Sequence, residues 1–254
     1  MIYVCTVHHE TEKWIAPQTR FLHKYLKSPS RVLACVPQVQ ARPQFHVEIV
    51  FEPASRASQN HADKLNHLAG IAIAEGASDD VLVFLDGDAF PIAPLDSFLE
   101  RQLAEFPLVA VQRLENDGDK QPHPSFAATT VGFWRDIAGD WSPGHCWLDS
   151  FGNSVTDTGG NLLARLDRDK IPWHPMRRTN RRNLHELWFG IYDDLVYHHG
   201  AGYRAPVSRF DENRKPGQGR FEGSDDYHDN RRLHSEVFDL LVKDDDFHRN
   251  LGLS

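Results

Sequence analysis

The order of apolar runs along the chain predicts an α/β protein with a mostly parallel central sheet flanked by helices. Three observations predict it. Short valine-rich runs recur at 2–7 ("IYVCTV"), 31–36 ("RVLACV"), 45–51 ("FHVEIVF") and 81–86 ("VLVFLD"), and continuous apolar runs of that length read as strands buried on both faces. Segments of helical periodicity alternate with them, as crossover connections between parallel strands require. Polar, chemistry-bearing residues follow the strand ends, where open sheets of this class bind ligands.

Each element follows in order. After the first strand, "HHETEKW" is a polar turn. Residues 14–27 then place Ile15, Phe21, Leu22, Tyr25 and Leu26 on one broad helical side. A long helix spans 58–75, with Leu65, Leu68, Ile71 and Ile73 as its apolar members and Gly76 placed to end it. "PLDSFLERQLAEF" reads as a helix and "PLVAVQRL" as a strand. "PSFAATTVGFW" reads as a strand, with a helix starting at "RDIAGDW". "SVTDTGGNLLARL" (154–166) is a loop with paired glycines entering a helix, and "FGIYDDLVYHHGAGYRAP" (189–206) a strand ending in a glycine-bearing loop. Residues 211–223 are polar, glycine-rich and expected to be mobile, and 225–247 form one or two helices on the rim. There is no internal repeat and no clear linker. One domain, 1–254, is expected, with a nucleotide-binding half (1–110), an acceptor and metal half (111–206) and a polar loop with C-terminal helices (207–254).

The 254 residues are 40% hydrophobic and 25% charged, with a net charge of −8 and a pI near 6.0. No basic field invites nucleic acid. Basic residues do cluster at Arg177, Arg178, Arg181 and Arg182, either as a solvated loop or as a patch for a phosphate or an anionic surface, which leaves peripheral membrane contact open. Cys5, Cys35 and Cys146 make no disulfide framework, and the first two sit in apolar runs as small hydrophobes. The N-terminus lacks a basic leader with a long apolar core, and no run approaches about 18 apolar residues. A cytoplasmic protein without a membrane span is expected.

The most informative stretch is "VLVFLDGDAFPI". Asp86 and Asp88 are two apart, so in an extended chain their side chains point the same way. Two adjacent carboxylates repel, and a divalent cation or a shared proton offsets that charge. Gly87 between them leaves room for backbone or ligand to come close. Asp-Gly also forms plain turns, but the apolar run before it and "AFPIAP" after it favour a metal site. Hard oxygen ligands suit Mg²⁺ or Mn²⁺, which also hold phosphates.

A strand, Asp-x-Asp and a proline-containing apolar continuation resemble the signature of GT-A-type nucleotide-sugar glycosyltransferases, with Lys64 and Asn66 in the helix about twenty residues upstream. "YHHGAGYRAP" is similar to the His-x-x-Gly-x-x-Lys-Pro motif of family 8 glycosyltransferases: from His199, Gly202 and Pro206 match, while Arg204 falls one position early. The resemblance implies a GT-A-like nucleotide-diphospho-sugar transferase fold and transfer of a sugar, a hexosyl group, from a nucleotide-sugar donor to a glycan, lipid-linked or small-molecule acceptor. It implies Mn²⁺ or Mg²⁺ at Asp86, Asp88 and His199, with His198 as the substitute ligand. Thr6, His8, Lys64, Asn66, Asp86, Gly87 and Arg204 are then expected at the nucleotide, and Trp134, Gly159 and Gly160 at the sugar or acceptor. Asp157 in "TDTGGNL" would be the general base if the sugar is inverted, or would orient substrates if it is retained; a helix-capping role is the alternative.

Three rival functions share parts of this pattern. In a haloacid dehalogenase-like phosphatase the Asp-x-Asp opens the fold and continues with threonine, whereas here it lies at 86 and continues Ala89-Phe90. A sugar-1-phosphate nucleotidyltransferase has a glycine-rich N-terminal phosphate loop, and "TVHHETEKW" contains no glycine. A non-catalytic nucleotide-sugar-binding protein is the third.

Overall fold

The computed structural model describes residues 1–9, 11–36, 48–51, 60–207 and 225–254. Its strands are β1 (Ile2–Val7), β2 (Ser30–Val36), β3 (Glu48–Phe51), β4 (Val81–Asp86), β5 (Ala89–Pro91), β6 (Leu108–Val111), β7 (His123–Thr130), β8 (Trp147–Leu148), β9 (Ser154–Val155), β10 (His174–Met176), β11 (Gly190–Tyr192) and β12 (Val196–His198). Its helices are α1 (Ile15–Tyr25), α2 (His61–Glu75), α3 (Leu95–Glu105), α4 (Val131–Asp136), α5 (Gly160–Arg168), α6 (Asp225–Lys243) and α7 (Phe247–Asn250). The expected mobile stretch at 211–223, the start of the third strand at 45–47 and the start of the long helix at 58–59 lie outside the described residues.

The main sheet runs β10-β6-β7-β4-β1-β2-β3. Strands β3, β2, β1 and β4 are mutually parallel, and β7 alone is reversed, pairing antiparallel with both β4 and β6. This is the expected α/β fold with a mostly parallel, helix-flanked sheet. Alternation along β1 shows why: Ile2 and Val4 pack on one face with Leu22 of α1 and Phe98 of α3, while Tyr3, Cys5 and Val7 pack on the other with Leu65 of α2, Trp134 of α4 and Leu162 of α5. Both faces are covered, so the strands read as unbroken apolar runs. Each such fully buried side chain contributes about 1.5–3 kcal/mol relative to exposure.

Several elements differ from the sequence expectation, among them β9 at Ser154–Val155, which lies inside the stretch expected as a loop. The helix after β7 starts at Val131, because the Thr130 side chain accepts the Phe133 amide and caps it before "RDIAGDW" begins. The stretch 189–206 is not one strand but the β11–β12 hairpin, in which Asp193 (φ 49°) and Asp194 (φ 53°) take the left-handed conformation that tight hairpin turns need. β12 also pairs antiparallel with β5, making a small sheet β11-β12-β5. A third apolar cluster covers this sheet, joining Trp14 and Phe21 to Phe90, Tyr197, Val237, Leu241 and Phe247. Helices α6 and α7 therefore pack on the small sheet, in agreement with the helical tail expected from the sequence.

Candidate metal and substrate site

Strand β4 ends at Asp86 in the middle of the main sheet, and β5 begins at Ala89, with only two residues between them, as an edge of the small sheet. The connection is tight. A Cβ at Gly87 would stand 2.7 Å from the Val7 carbonyl and 2.8 Å from His8 Nδ1, so only glycine fits between the tips of β1 and β4. Gln18 of α1 secures the turn from behind, its amide donating to the Asp86 and Ala89 carbonyls at 2.8 Å each. The β5–β12 register sets Ala89 opposite His198, and this brings an imidazole from the far end of the chain to the acid pair. His198 Nε2 lies 3.4 Å from Asp88 Oδ1 and 3.7 Å from Asp86 Oδ2. One ligand atom from each of Asp86, Asp88 and His198 lies within 4.8 Å of the others.

The electrostatics of the three groups are coupled. Burial raises the Asp86 carboxyl above the usual carboxylate range, and His61 and His198 offset this only in part. Burial opposes ionisation of Asp88 as well, but His198 and the Gly202 amide outweigh it and hold that carboxyl below its usual range. Burial likewise opposes a charge on His198, and Asp88 and Asp86 overcome it, raising its affinity for a proton. Asp86 Oδ1 is buried and makes no hydrogen bond among the described residues; His61 Nε2 is 3.2 Å away without hydrogen-bond geometry. A buried carboxylate oxygen without a hydrogen bond, beside a second carboxylate and an imidazole, fits a divalent cation. Asp86, Asp88 and His198 would hold it, and paired carboxylates suit Mg²⁺ or Mn²⁺.

His199 was the expected ligand, and the structure places it elsewhere. Successive side chains alternate across a strand, so with His198 facing the acids, His199 turns into the small sheet's core, where it is fully buried. Both of its ring nitrogens are engaged: Nδ1 with the Tyr197 hydroxyl at 2.8 Å and Nε2 with His234 Nδ1 at 3.0 Å. His234 Nε2 in turn meets the Gly200 carbonyl at 2.7 Å. A carbonyl only accepts, so His234 donates there. Burial holds both imidazoles below the usual histidine range, and with both neutral the chain has one sense: Tyr197 donates to His199, His199 to His234, and His234 to Gly200. No lone pair of His199 is left for a metal.

The acid pair forms part of the wall of a cleft of about 670 Å³, within the range of small-molecule sites. Of the residues singled out in the sequence, His8, Gly87, Asp157 and Arg204 also line it. His8 is buried, and burial lowers its pKa to about 4 despite Asp88 nearby. Arg204 packs its guanidinium 5.5 Å from the Trp188 ring and donates to the Val207 carbonyl at 2.9 Å. Asp157 is half exposed, 3.5 Å from Arg113; it accepts the Thr158 amide but does not occupy the N-cap of α5, which is Gly159.

The other expected site residues are used in packing. Thr6 is fully buried and donates to Gln18. Lys64 is buried behind His9, its Nζ 3.2 Å from the ring. Asn66 ties α2 to the segment after α4 through Asp140 at 2.7 Å and the Trp141 amide at 2.9 Å. Trp134 lies in the core with its ring 4.8 Å from that of Phe84 and 5.4 Å from that of Trp141, leaving no face for a sugar. Gly159 and Gly160 are both buried, and a Cβ at Gly159 would meet the Pro122 carbonyl at 2.2 Å. In the basic cluster, Arg178 braces the 185–188 loop through the carbonyls of His185, Glu186 and Trp188, while Arg177, Arg181 and Arg182 are exposed.

Sequence reasoning missed Arg113, His61, His123 and Trp147, all of which line the cleft. Burial disfavours the Arg113 charge, but Asp119 at 3.1 Å and then Asp157 more than compensate, raising its pKa. The signal for it was available: Arg113 follows β6, which runs in the same direction as β4, so it falls at the same carboxyl edge as Asp86. His123 opens the one reversed strand and therefore stands at that edge too. His61 is the first residue of α2.

No family model matches the chain, and no curated protein does. Among solved structures the chain is similar to S. aureus TarS, with a TM-score of 0.39 and 9% identity over 56% of this chain and 30% of that one. It is also similar to the galactosyltransferase LgtC in complex with donor and acceptor sugar analogs, with a TM-score of 0.37 and 14% identity over 54% of this chain and 60% of that one. The chain thus spans less than two thirds of either, and the functional reading is carried by the site's own geometry.

Proposed function

We propose that the chain is a glycosyltransferase that moves a sugar, a hexosyl group, from a nucleotide-sugar donor to a glycan, lipid-linked or small-molecule acceptor with the help of Mn²⁺ or Mg²⁺. The observation that carries this reading is the convergence of Asp86, Asp88 and His198 on one point of a cleft large enough for a nucleotide sugar. A cation held there would offset the negative charge that develops on the departing diphosphate. Around it, Gly87 lets the ligand approach the backbone, His8 borders the nucleotide, and Arg204 offers a planar cation to a phosphate. Asp157 orients the acceptor or takes its proton, with Arg113 fixing the carboxylate. The residues act as a single unit in which the first 110 supply the acid pair and the stretch to 206 supplies His198, Arg113 and Asp157. The net charge of −8 argues against a nucleic-acid partner. Three cysteines that form no disulfide among the described residues support a reducing, cytoplasmic setting, and no helix among the described residues is long and apolar enough to cross a membrane.

The test is incubation with Mn²⁺ and a panel of nucleotide sugars, following release of the nucleoside diphosphate. Slow, Mn²⁺-dependent donor hydrolysis that is lost in Asp88→Ala is the expected result. Phosphate release from monoesters would support the phosphatase reading, with Asp86 as nucleophile, and binding without turnover the non-catalytic one; either outcome contradicts the proposal.

A further inference from the structure

We propose that His234, on α6, is a positioning residue for the acid pair: through His199 and Gly200 it sets the turn whose Gly202 amide holds Asp88. The turn is unusual enough to need holding. Gly200 has φ +73° and Ala201, with a side chain, has φ +50°, a conformation that persists only where the surroundings over-determine it. Its product is a backbone N–H aimed at a carboxylate: Gly202 donates to Asp88 Oδ2 at 3.0 Å. The approach is so close that a Cβ at Gly202 would stand 2.5 Å from that oxygen. Among the described residues, Trp14 and His234 hydrogen-bond the turn from outside it, in addition to Asp88. Trp14 donates its indole N–H to the Gly202 carbonyl at 2.9 Å, and His234 accepts from His199 on one side while donating to the Gly200 carbonyl on the other. His234 is therefore a hydrogen-bonding contact through which a helix some thirty residues further along the chain reaches the loop between His198 and Gly202. Its neighbours on the same helix face, Val237 and Leu241, are apolar and pack in the core, so they contribute burial without touching the hydrogen-bond chain.

The consequence for metal binding rests on the function proposed above; the positioning of Asp88 does not. Outer groups that orient ligands typically change metal affinity by about 10–100-fold when removed. His234→Leu removes both hydrogen bonds, whereas His234→Gln keeps an acceptor and a donor. Val237→Ala removes packing alone and serves as the control for general loosening. The experiment follows amide hydrogen exchange at Gly202 and Mn²⁺ affinity in the full chain. Expected for His234→Leu are exchange at Gly202 faster by about tenfold or more and an Mn²⁺ dissociation constant raised about tenfold. His234→Gln should restore both most of the way, and Val237→Ala should move neither at temperatures where it is folded. If His234→Leu does not fold, the shorter His234→Asn, which cannot reach both partners, takes its place. Gly202 exchange in the His234 variant indistinguishable from that in Val237→Ala would overturn the proposal. A wild type that binds no Mn²⁺ while Gly202 exchange still responds to His234 would overturn the metal reading and leave the positioning role standing.

Discussion

The two sides of the acid-imidazole cluster are built by opposite means. Asp86 and Asp88 come from the end of a six-residue strand in the centre of a seven-stranded sheet, flanked by β1 and β7 and buried on both faces. His198 comes from a three-residue strand of a three-stranded sheet, held by β5 pairing, by the chain through His199 and His234, and by the aromatic cluster under α6 and α7. The first side is secured by its own layer, and the second by residues distant in sequence. A site divided in this way should lose ligand affinity when a cation-binding side chain on either side is removed, whereas cutting a support should cost stability on either side and affinity only on the second.

The largest expected effect is at the acids. Asp88→Ala removes a cluster member and the acceptor of the Gly202 amide; it should abolish Mn²⁺-dependent nucleotide binding in calorimetry while the far-ultraviolet circular dichroism stays that of the wild type. The adjacent histidines come next and separate ligand from support. His198→Ala should weaken Mn²⁺ binding by about 100-fold with little change in unfolding free energy, whereas His199→Ala should weaken it only about tenfold. The second variant leaves a cavity and buried polar groups without partners, so it should cost about 2–4 kcal/mol in a urea titration. Equal metal affinities in the two variants would erase the distinction between the strand's two faces.

On the sheet side, Asn66→Ala breaks the bonds to Asp140 and the Trp141 amide. It should cost about 1–3 kcal/mol of stability and leave the nucleotide dissociation constant unchanged; a large change in nucleotide affinity would restore Asn66 to the cleft. The smallest effect is one of pH. Burial lowers the His234 pKa to about 4, against the opposing influence of the Gly200 carbonyl and Asp88, with Lys13 and His185 acting in the same direction as burial. The unfolded chain binds a proton at this position near pH 6.5. The stability that neutral His234 confers is thus fully present above about 6.5 and is lost as pH falls from there through about 4. Thermal midpoints measured between pH 7 and pH 4.5 should fall more steeply for the wild type than for His234→Gln, which has nothing to titrate.

The same contrast explains what was legible in the sequence. Strands β1, β2 and β4, helices α1, α2 and α3, and the acid pair lie in local patterns, because each apolar run is buried by its neighbours in one sheet and carries its own periodicity. The His198–His199 choice was not local: it depends on which face of a three-residue strand meets β5, and that pairing joins residues more than a hundred apart in sequence. The same holds for Arg113, whose partners Asp119 and Asp157 meet it only once β6 and the start of α5 are assembled. Trp134, Gly159, Thr6 and Asn66 were misplaced for a different reason. Their residue types suit ligands, yet each is used where its shape or hydrogen bonds were needed by the fold: Trp134 between Phe84 and Trp141, Gly159 against Pro122, Thr6 on Gln18, and Asn66 on Asp140.

The measurement that bears most directly on the site is pulsed electron paramagnetic resonance of bound Mn²⁺ in three proteins: the wild type, His198→Ala and His199→Ala. The structure predicts an imidazole nitrogen coupling in the wild type that disappears in His198→Ala and persists in His199→Ala. A coupling that survives in His198→Ala, or a wild type that binds no Mn²⁺, would contradict a metal site built from Asp86, Asp88 and His198.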